Sequence, residues 1–295
     1  MRLLRRLLIP VVAITALLVP MVPASAITGG TPDGAAHPDV GMLLFYAPEG
    51  GVNVRFRCSG TLVTATVVLT AGHCTDATAG KTLVTFQSVI AEQPPSGLPR
   101  AADDPGDGTS VTGFQGQPSP NTFGMYSGTA YTHPAFSHFT DLANWNDVGI
   151  IVLDQPVVGI TPARIAGAGY LDAFAQPALN KTLFTFVGYG TNVDKPVAGP
   201  QKPTPQSFPL IRRNTDSQGQ KLTPQILQVN GNPNNVQGGG GTCFGDSGGP
   251  SFLNGLQVTV TSFGRTANCR YIDGHQRIDI PVVLNWLAGF GVTPK

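Results

Sequence analysis

Short apolar runs separated by turn residues recur along this 295-residue chain and constrain its fold more than any other feature. The turns are rich in glycine and proline, of which the chain has 37 and 26. Only residues 281–290 have a helical pattern, with Pro281 at the start and Gly291 just after the end. Strand-length runs bounded by turns predict an all-β fold. The clearest predicted strands are residues 40–46, 52–63, 65–72, 148–153, 182–190 and 256–264.

The first 26 residues have the pattern of a secretory signal peptide. Three arginines precede an apolar run at residues 7–22, and small residues typical of a cleavage site end at Ala26. A membrane anchor is the alternative, but the run is shorter than the roughly 20 residues that span a bilayer and is interrupted by two prolines. We therefore expect residues 1–26 to be removed, and the mature protein to be extracellular and free of the membrane.

The cysteine content and the charge narrow the class of protein further. Four cysteines in a secreted chain predict two disulfides, for which the sequence alone allows three pairings. Metal binding is the alternative, but no Cys-x-x-Cys pair occurs and the five histidines are scattered. A formal net charge of +1 gives no basic excess that would attract nucleic acid. We expect no metal, no cofactor, no nucleic-acid partner and a monomeric state.

The most specific motif is GTCFGDSGGP at residues 241–250. Glycines on both sides of Ser247 permit a tight turn that exposes the serine hydroxyl. The same turn can direct the backbone N–H groups of Gly245 and Ser247 to one point, as an oxyanion hole requires. Taken alone, the motif also fits an ordinary glycine-rich turn with a solvated serine.

Two further motifs supply the partners that a nucleophilic serine needs. TAGHC at 70–74 places His73 at the end of a strand-like run, and a neutral histidine can accept the serine proton. WNDVGIIVL at 145–153 places Asp147 at the head of another run, where its carboxylate can orient the imidazole. Because the three motifs occur together, a catalytic set of His73, Asp147 and Ser247 is the preferred interpretation.

With these motifs the chain resembles secreted serine proteases of the trypsin/chymotrypsin type, the S1 family. Their catalytic residues follow the same order, TAGHC and NDVGIIVL resemble the family's TAAHC and NDIALLKL, and GDSGGP is identical to its nucleophile motif. The resemblance implies two six-stranded antiparallel β-barrels, at residues 27–155 and 156–295, with the site in the seam. The second barrel would carry the C-terminal helix, and residues 27–295 would form one peptidase unit. Residues 92–124 and 194–209 read as long loops without family counterparts.

The resemblance also implies roles for residues outside the three motifs. Disulfides would join Cys58 to Cys74 and Cys243 to Cys269. The stretch ending in TSFG resembles the family's SWG strand, with Phe263 in place of Trp. Ser262 would hydrogen-bond Asp147, and the backbone of Ser262 and Gly264 would pair with substrate as an added strand.

The predicted new N-terminus has its own implied role. ITGG, starting at Ile27, resembles the family's mature IVGG end, whose ammonium pairs with the aspartate before the nucleophile. Here that carboxylate is Asp246, and burying it unpaired would cost about 3–5 kcal/mol. Because Ala26 immediately precedes Ile27, our hypothesis is that signal cleavage itself produces the active conformation.

Substrate preference is expected to follow from a pocket formed by neutral residues. Gly241 lies where the family's pocket-floor residue sits, and together with Thr242 and Gly264 it would make an open, uncharged pocket. This predicts a serine endopeptidase that cleaves proteins or peptides through an acyl-enzyme, after apolar rather than basic residues. The opposite wall lies within residues 270–279, where either Gly274 or His275 faces the floor. An esterase and a non-catalytic binding module on the same fold are the alternatives.

Overall fold

A computed structural model describes residues 27–49, 52–91, 97–101, 112–116, 118, 123–193 and 206–295. The predicted signal peptide lies outside the described residues, as do much of the predicted loop 92–124 and residues 194–205 of the second loop. Signal cleavage therefore stays a prediction. In the described ranges, no helix combines the length and apolar character that crossing a bilayer requires.

Strands make up most of the regular structure, as the turn-separated runs predict. The strands up to residue 153 are β1 (Thr31–Pro32), β2 (Val40–Glu49), β3 (Val52–Leu62), β4 (Val67–Thr70), β5 (Thr82–Thr85), β6 (Val89–Ala91), β7 (Tyr126–Thr132) and β8 (Gly149–Leu153). The later strands are β9 (Leu183–Gly188), β10 (Asn192–Val193), β11 (Gln206–Ser207), β12 (Leu210–Ile211), β13 (Arg213–Leu222), β14 (Ile226–Asn230), β15 (Pro250–Leu253), β16 (Leu256–Gly264) and β17 (Ile272–Arg277).

Helices are few and short in the described residues. Helix α1 is Gly72–Thr75 and helix α2 is Pro281–Ala288, and two 3-10 turns cover Tyr170–Phe174 and Leu179–Lys181. Helix α2 begins at the predicted Pro281, which occupies its first turn, where a missing N–H costs nothing. It ends at Ala288, two residues before the predicted end.

The first barrel closes in the order β2-β3-β4-β8-β7-β5, with β5 pairing back to β2. All its pairings are antiparallel. Strand β2 is apolar at almost every position because both of its faces are covered. Leu43 and Phe45 pack inside the barrel, whereas Met42, Leu44 and Tyr46 pack against residues of the other half of the chain.

The second barrel is the ring β13-β14-β17-β16-β15-β9, closed by the pairing of β9 with β13. Strand β1 adds to its edge through β13. The predicted all-β fold of two six-stranded antiparallel barrels with a C-terminal helix is thereby confirmed.

The two halves of the sequence exchange segments across the seam. Thr28 pairs with Gly241 and β1 pairs with β13, so the start of the described chain belongs to the second barrel. Helix α2 packs into a core cluster that also contains Leu69 and Ile150 of the first barrel. The division into 27–155 and 156–295 stays a prediction, and both exchanges tie the two ranges into one body.

A buried ion pair fastens the N-terminal segment to the junction of the barrels. Arg212 Nε donates to Asp33 Oδ2 at 2.8 Å, and both side chains are almost fully buried. The remaining guanidinium nitrogens donate to the backbone oxygens of Gly34, Val40 and Phe86. Because every nitrogen of the guanidinium donates a hydrogen bond, its burial is tolerated, and losing one partner of the ion pair would leave a buried charge exposed to a large desolvation cost.

We expect Arg212→Met to lower the free energy of unfolding by about 3–5 kcal/mol, since Asp33 would stay buried without its cation. Urea unfolding followed by circular dichroism measures this loss. Lys81→Gln is the matched control, because it breaks the partly exposed Lys81–Asp154 pair and should cost about 1 kcal/mol or less. Equal losses for the two variants would contradict the assignment.

Candidate active site

His73 lies where buried strand β4 leads into the short helix α1. Its backbone N–H donates to Asp147 Oδ1 at 2.8 Å, and its Nδ1 lies 2.8 Å from Asp147 Oδ2. A carboxylate facing Nδ1 selects the tautomer with the proton on that nitrogen. Nε2 is then the ring nitrogen that can accept a proton.

Asp147 is fully buried and is held by several donors. The hydroxyl of Ser262 donates to Asp147 Oδ2 at 2.6 Å, and Trp145 Nε1 donates to that hydroxyl at 2.9 Å. The backbone N–H of Asp147 donates to Gln276 Oε1. The structure thus places Ser262 beside the carboxylate that orients His73, in a chain of hydrogen bonds that fixes the ring.

Hydrogen bonds to strands β3 and β16 hold the turn that carries Ser247. The backbone N–H of Ser59 donates to the Ser247 carbonyl at 2.8 Å, and the Ser59 hydroxyl donates to the Gly245 carbonyl at 2.9 Å. From the other side, the N–H of Gly248 donates to the Thr261 carbonyl at 2.8 Å. Contacts from both barrels therefore set the position of the serine.

Gly248 brings the serine turn against the segment that leads to His73. A Cβ on Gly248 would lie 1.9 Å from Thr70 Oγ1 and 2.6 Å from the Ala71 nitrogen, so only glycine fits. Within the described residues, no hydrogen bond joins the Ser247 hydroxyl to His73. Catalytic hydrogen bonds are often long without substrate.

The N–H groups of Gly245 and Ser247 are the predicted oxyanion hole. In the same turn, the N–H groups of Asp246, Gly248 and Gly249 all donate to backbone carbonyls. Those of Gly245 and Ser247 donate to no described residue. Gly245 has a φ of +98°, which glycine adopts without strain.

A cavity of about 370 Å³ opens beside Ser247. Thr242 and Cys243 form one wall, and Ser262, Phe263 and Gly264 form the other. Gly241, predicted as the floor, does not line it, because Gly241 pairs with Thr28 behind the wall.

Gly274 and His275, the two candidates for the pocket floor, lie on strand β17. A Cβ on Gly274 would lie 2.2 Å from the ring of Phe263, so glycine makes room for that ring. His275 is fully buried and packs on Phe186 with ring centroids 4.4 Å apart. His275 therefore belongs to the barrel core and does not make the pocket shallower.

Asp273 is the functional candidate that the sequence analysis missed. Its Oδ2 accepts hydrogen bonds from the backbone N–H and the hydroxyl of Thr242, at 2.7 and 3.1 Å. A Cβ on Gly264 would lie 3.4 Å from Oδ1, so the missing side chain leaves this oxygen next to the cavity wall. Burial raises the pKa of Asp273 to about 7, against the hydrogen bonds from Thr242. Asp273 does not itself line the cavity, so the expectation of a pocket without a carboxylate stays a prediction.

Asp246 is buried behind the nucleophile turn, in space that two glycines leave open. Its carboxylate accepts the N–H groups of Gly190 and Cys243, at 2.7 and 2.8 Å. A Cβ on Gly190 or on Gly188 would lie within 2.3 Å of a carboxylate oxygen. Burial raises the pKa of Asp246 to about 7, because two backbone N–H groups do not replace a cation in contact.

Ile27 is fully buried. The residue after it, Thr28, exchanges two hydrogen bonds of 3.0 Å with Gly241, in the segment that leads to Asp246. No described contact joins Ile27 to Asp246 in the uncleaved chain. The predicted pairing of its freed ammonium with Asp246 stays a prediction.

Disulfides join Cys58 to Cys74 and Cys243 to Cys269. The first connects β3 to the helix that carries His73, and the second connects the two walls of the cavity. Cys58, Cys74 and His73 also form the one cluster of metal-ligand residue types in the described part of the chain. Its two sulfurs are bonded to each other and so offer no thiolate.

The similarity to known proteins agrees with this geometry. The trypsin family model matches residues 115–287, which contain Asp147 and Ser247. The chain belongs to the trypsin family. This trypsin-family chain is 26% identical over 247 residues to brachyurin from Leptuca pugilator, covering 82% of this chain and 92% of brachyurin. It is 27% identical to a trypsin from Saccharopolyspora erythraea, covering 70% of this chain and 75% of that trypsin. The family assignment supports a serine protease-like function.

Solved structures share the fold. HL collagenase superposes with a TM-score of 0.58 at 18% identity, covering 92% of this chain and 99% of its own. Human heparin binding protein gives 0.54 at 17% identity, covering 91% of this chain and 99% of its own. A scabies mite inactivated protease paralogue gives 0.56 at 15% identity, covering 91% of this chain and all of its own. At these identities the likeness concerns the fold alone.

We expect Gly248→Ala to lower the free energy of unfolding by at least about 3 kcal/mol and peptidase activity about 100-fold, because the Cβ would push the turn away from Ala71. Gly255→Ala is the matched control, since Gly255 has a similar φ of +73° but nothing within 4 Å of its Cβ. It should cost only the backbone strain of about 1–2 kcal/mol. Activity assays and urea unfolding measure both, and full activity of Gly248→Ala would contradict the packing argument.

Proposed function

We propose that this trypsin-family protein is a secreted serine endopeptidase that hydrolyses peptide bonds through an acyl-enzyme. Ser247 Oγ attacks the scissile carbonyl while His73 Nε2 takes its proton. His73 then gives that proton to the leaving amine, the C–N bond breaks, and water repeats the sequence to release the acid. Asp147 keeps the ring oriented and stabilises its protonated form, and the N–H groups of Gly245 and Ser247 hold the oxyanion.

The free N–H groups of Gly245 and Ser247 carry this proposal most strongly. If the turn had only a structural role, its backbone N–H groups would be expected to form hydrogen bonds within the protein. Here three neighbouring N–H groups do so, while these two donate to no described residue. The hydrogen-bonded set of His73, Asp147 and Ser262 approaches the same turn from the other barrel.

A non-catalytic binding module on the same fold is the second candidate. It has support from two structural neighbours, the heparin binding protein and the inactivated protease paralogue. Against it, this chain keeps His73, Asp147 and Ser247 in their family motifs. An esterase shares the acyl chemistry and is separated from a peptidase by its substrates.

Labelling with a fluorophosphonate tests the proposal. We expect the mature protein to react at Ser247, since only an activated serine attacks this reagent, and we expect it to cleave peptides. Ser247→Ala should lose both reactions while keeping the same unfolding midpoint. A folded mature protein that does not react would instead identify a binding module, and one that hydrolyses esters but no peptide would identify an esterase.

Activation is proposed to follow directly from signal cleavage after Ala26. The freed ammonium of Ile27 would supply the cation that Asp246 lacks in the uncleaved chain and would stabilise the 245–247 turn. Mass spectrometry of the labelled, secreted protein reads its first residue together with the modified one. Fully active protein that begins at any residue other than Ile27 would refute this route.

The proposed substrate preference combines walls that are uncharged apart from Arg265 with the buried carboxylate. The walls support cleavage after apolar residues, as the sequence predicts. The position of Asp273 supports a second class, since Oδ1 could pair with a lysine or arginine side chain that reaches the end of the cavity. Because burial holds its pKa near 7, this carboxyl ionises as the pH rises through that value.

We expect the ratio of kcat/KM for an arginine substrate over a matched norleucine substrate to rise about tenfold between about pH 6 and pH 8, equivalent to about 1.4 kcal/mol. An effect of pH on the catalytic steps that the two substrates share cancels in this ratio. Asp273→Asn should remove the rise while leaving norleucine cleavage in place. A ratio that is flat with pH in the unmodified enzyme would exclude Asp273 from substrate binding.

A further inference from the structure

Arg57 is a half-buried cation for which the first barrel provides no partner. It lies on β3, next to Cys58 and opposite Leu44 of β2. Among the described residues it makes no hydrogen bond and no ion pair. A partly desolvated guanidinium without a partner is unfavourable, and in a crevice it is available to a ligand.

The side chain of Arg57 covers the outer face of Gly245. A Cβ on Gly245 would lie 2.8 Å from Arg57 Nε and 3.4 Å from Arg57 Cγ. Successive side chains of a strand alternate, so Arg57 and Ser59 lie on the same side of β3. Ser59 contacts the nucleophile turn directly, which confirms that this side of β3 faces the reactive serine.

Arg57 and the substrate cavity lie on opposite sides of the turn. Every residue that lines the cavity comes from the second barrel, between Thr242 and Cys269. Arg57 approaches Gly245 from the first barrel. A substrate with its side chain in the cavity and its carbonyl at Gly245 and Ser247 must continue towards the first barrel. The residues after the scissile bond therefore pass Arg57.

One buried carboxylate attracts Arg57 without contacting it. Asp246 raises the pKa of the Arg57 guanidinium, whereas burial, the larger effect, lowers it. No ion pair forms, because Asp246 is enclosed behind the turn by Gly190 and Cys243. The N–H groups of Arg57 therefore stay available to another acceptor.

We propose that Arg57 binds an acidic side chain in one of the two residues that follow the scissile bond. The inference rests on the proposed peptidase function and adds a preference on the leaving-group side. A planar guanidinium can donate two parallel N–H groups to a carboxylate, which an amide of the same shape accepts less well. The contact acts during acylation, because these residues depart with the new amine.

Four internally quenched peptides test the proposal, with glutamate or glutamine at the first or the second position after one fixed scissile bond. At one of the two positions we expect kcat/KM to favour glutamate about three- to tenfold, the range for a partly exposed charge pair. Raising NaCl from about 0.05 M to about 0.5 M should reduce the preference, since salt screens such pairs. This measurement needs no variant.

Variants at two neighbouring arginines assign the preference to its residue. Arg57→Gln should bring the glutamate-to-glutamine ratio to about one, and Arg57→Lys should keep part of it. Arg55→Gln is the matched control, because Arg55 lies two residues earlier on the same side of β3 but donates to the carbonyls of Leu98 and Pro99. It should leave the ratio unchanged.

A small ester with no residues after the scissile bond separates this role from oxyanion stabilisation. Arg57→Gln should lower kcat/KM for the glutamate peptide clearly more than for that ester, whereas an equal loss on ester and peptide would overturn the proposal. Equal cleavage of all the glutamate and glutamine peptides by active enzyme would also overturn the proposed role of Arg57. That result would leave the proposed peptidase function unaffected. Protein that cleaves neither peptide nor ester and ignores fluorophosphonate would refute the proposed function, and this inference with it.

Discussion

Buried carboxylates are costly unless donors surround them, and this constraint determines how the seam between the two barrels is built. Asp147 and Asp246 are both almost completely buried there, on either side of Ser247. The donors of Asp147 come from both barrels, whereas those of Asp246, the N–H groups of Gly190 and Cys243, both come from the second barrel. The active-site geometry is therefore a consequence of folding the whole unit.

The two carboxylates differ in the donors they receive. Asp147 receives the N–H and ring of His73 and the hydroxyl of Ser262, so its negative charge is matched to the ring that it orients. Asp246 receives only backbone N–H groups, and its pKa rises to about 7. A buried carboxylate that receives only backbone N–H groups is stabilised strongly by a nearby cation. Within the buried seam, the proposed ammonium of Ile27 is a small cation that could reach it without opening the barrels.

Apolar runs predict strands such as β16, but they miss the short strands β5 and β14 and the strands whose buried residues are polar. Strand β16 has the predicted bounds, 256–264, because its apolar residues alternate. Strand β13, RNTDSQGQKL, was not predicted, since its buried positions are arginine, threonine, serine and glycine. Strand β17, IDGHQR, is buried with hardly any apolar residue. Asp273 lies on β17. The family motifs leave residues 270–279 without a definite alignment, and the pattern of apolar residues does not predict a strand there either.

The charges around Ser247 are arranged asymmetrically along the crevice. Asp273 lies behind Gly264 of the cavity wall, and Arg57 lies against Gly245. Asp273 lies on β17 and Arg57 on β3, so both are positioned by strands rather than by loops. Such a pair of opposite charges would orient a substrate with a cation before the scissile bond and an anion after it. Reversing that substrate would place like charges together, so the same two residues would set the direction in which the chain binds.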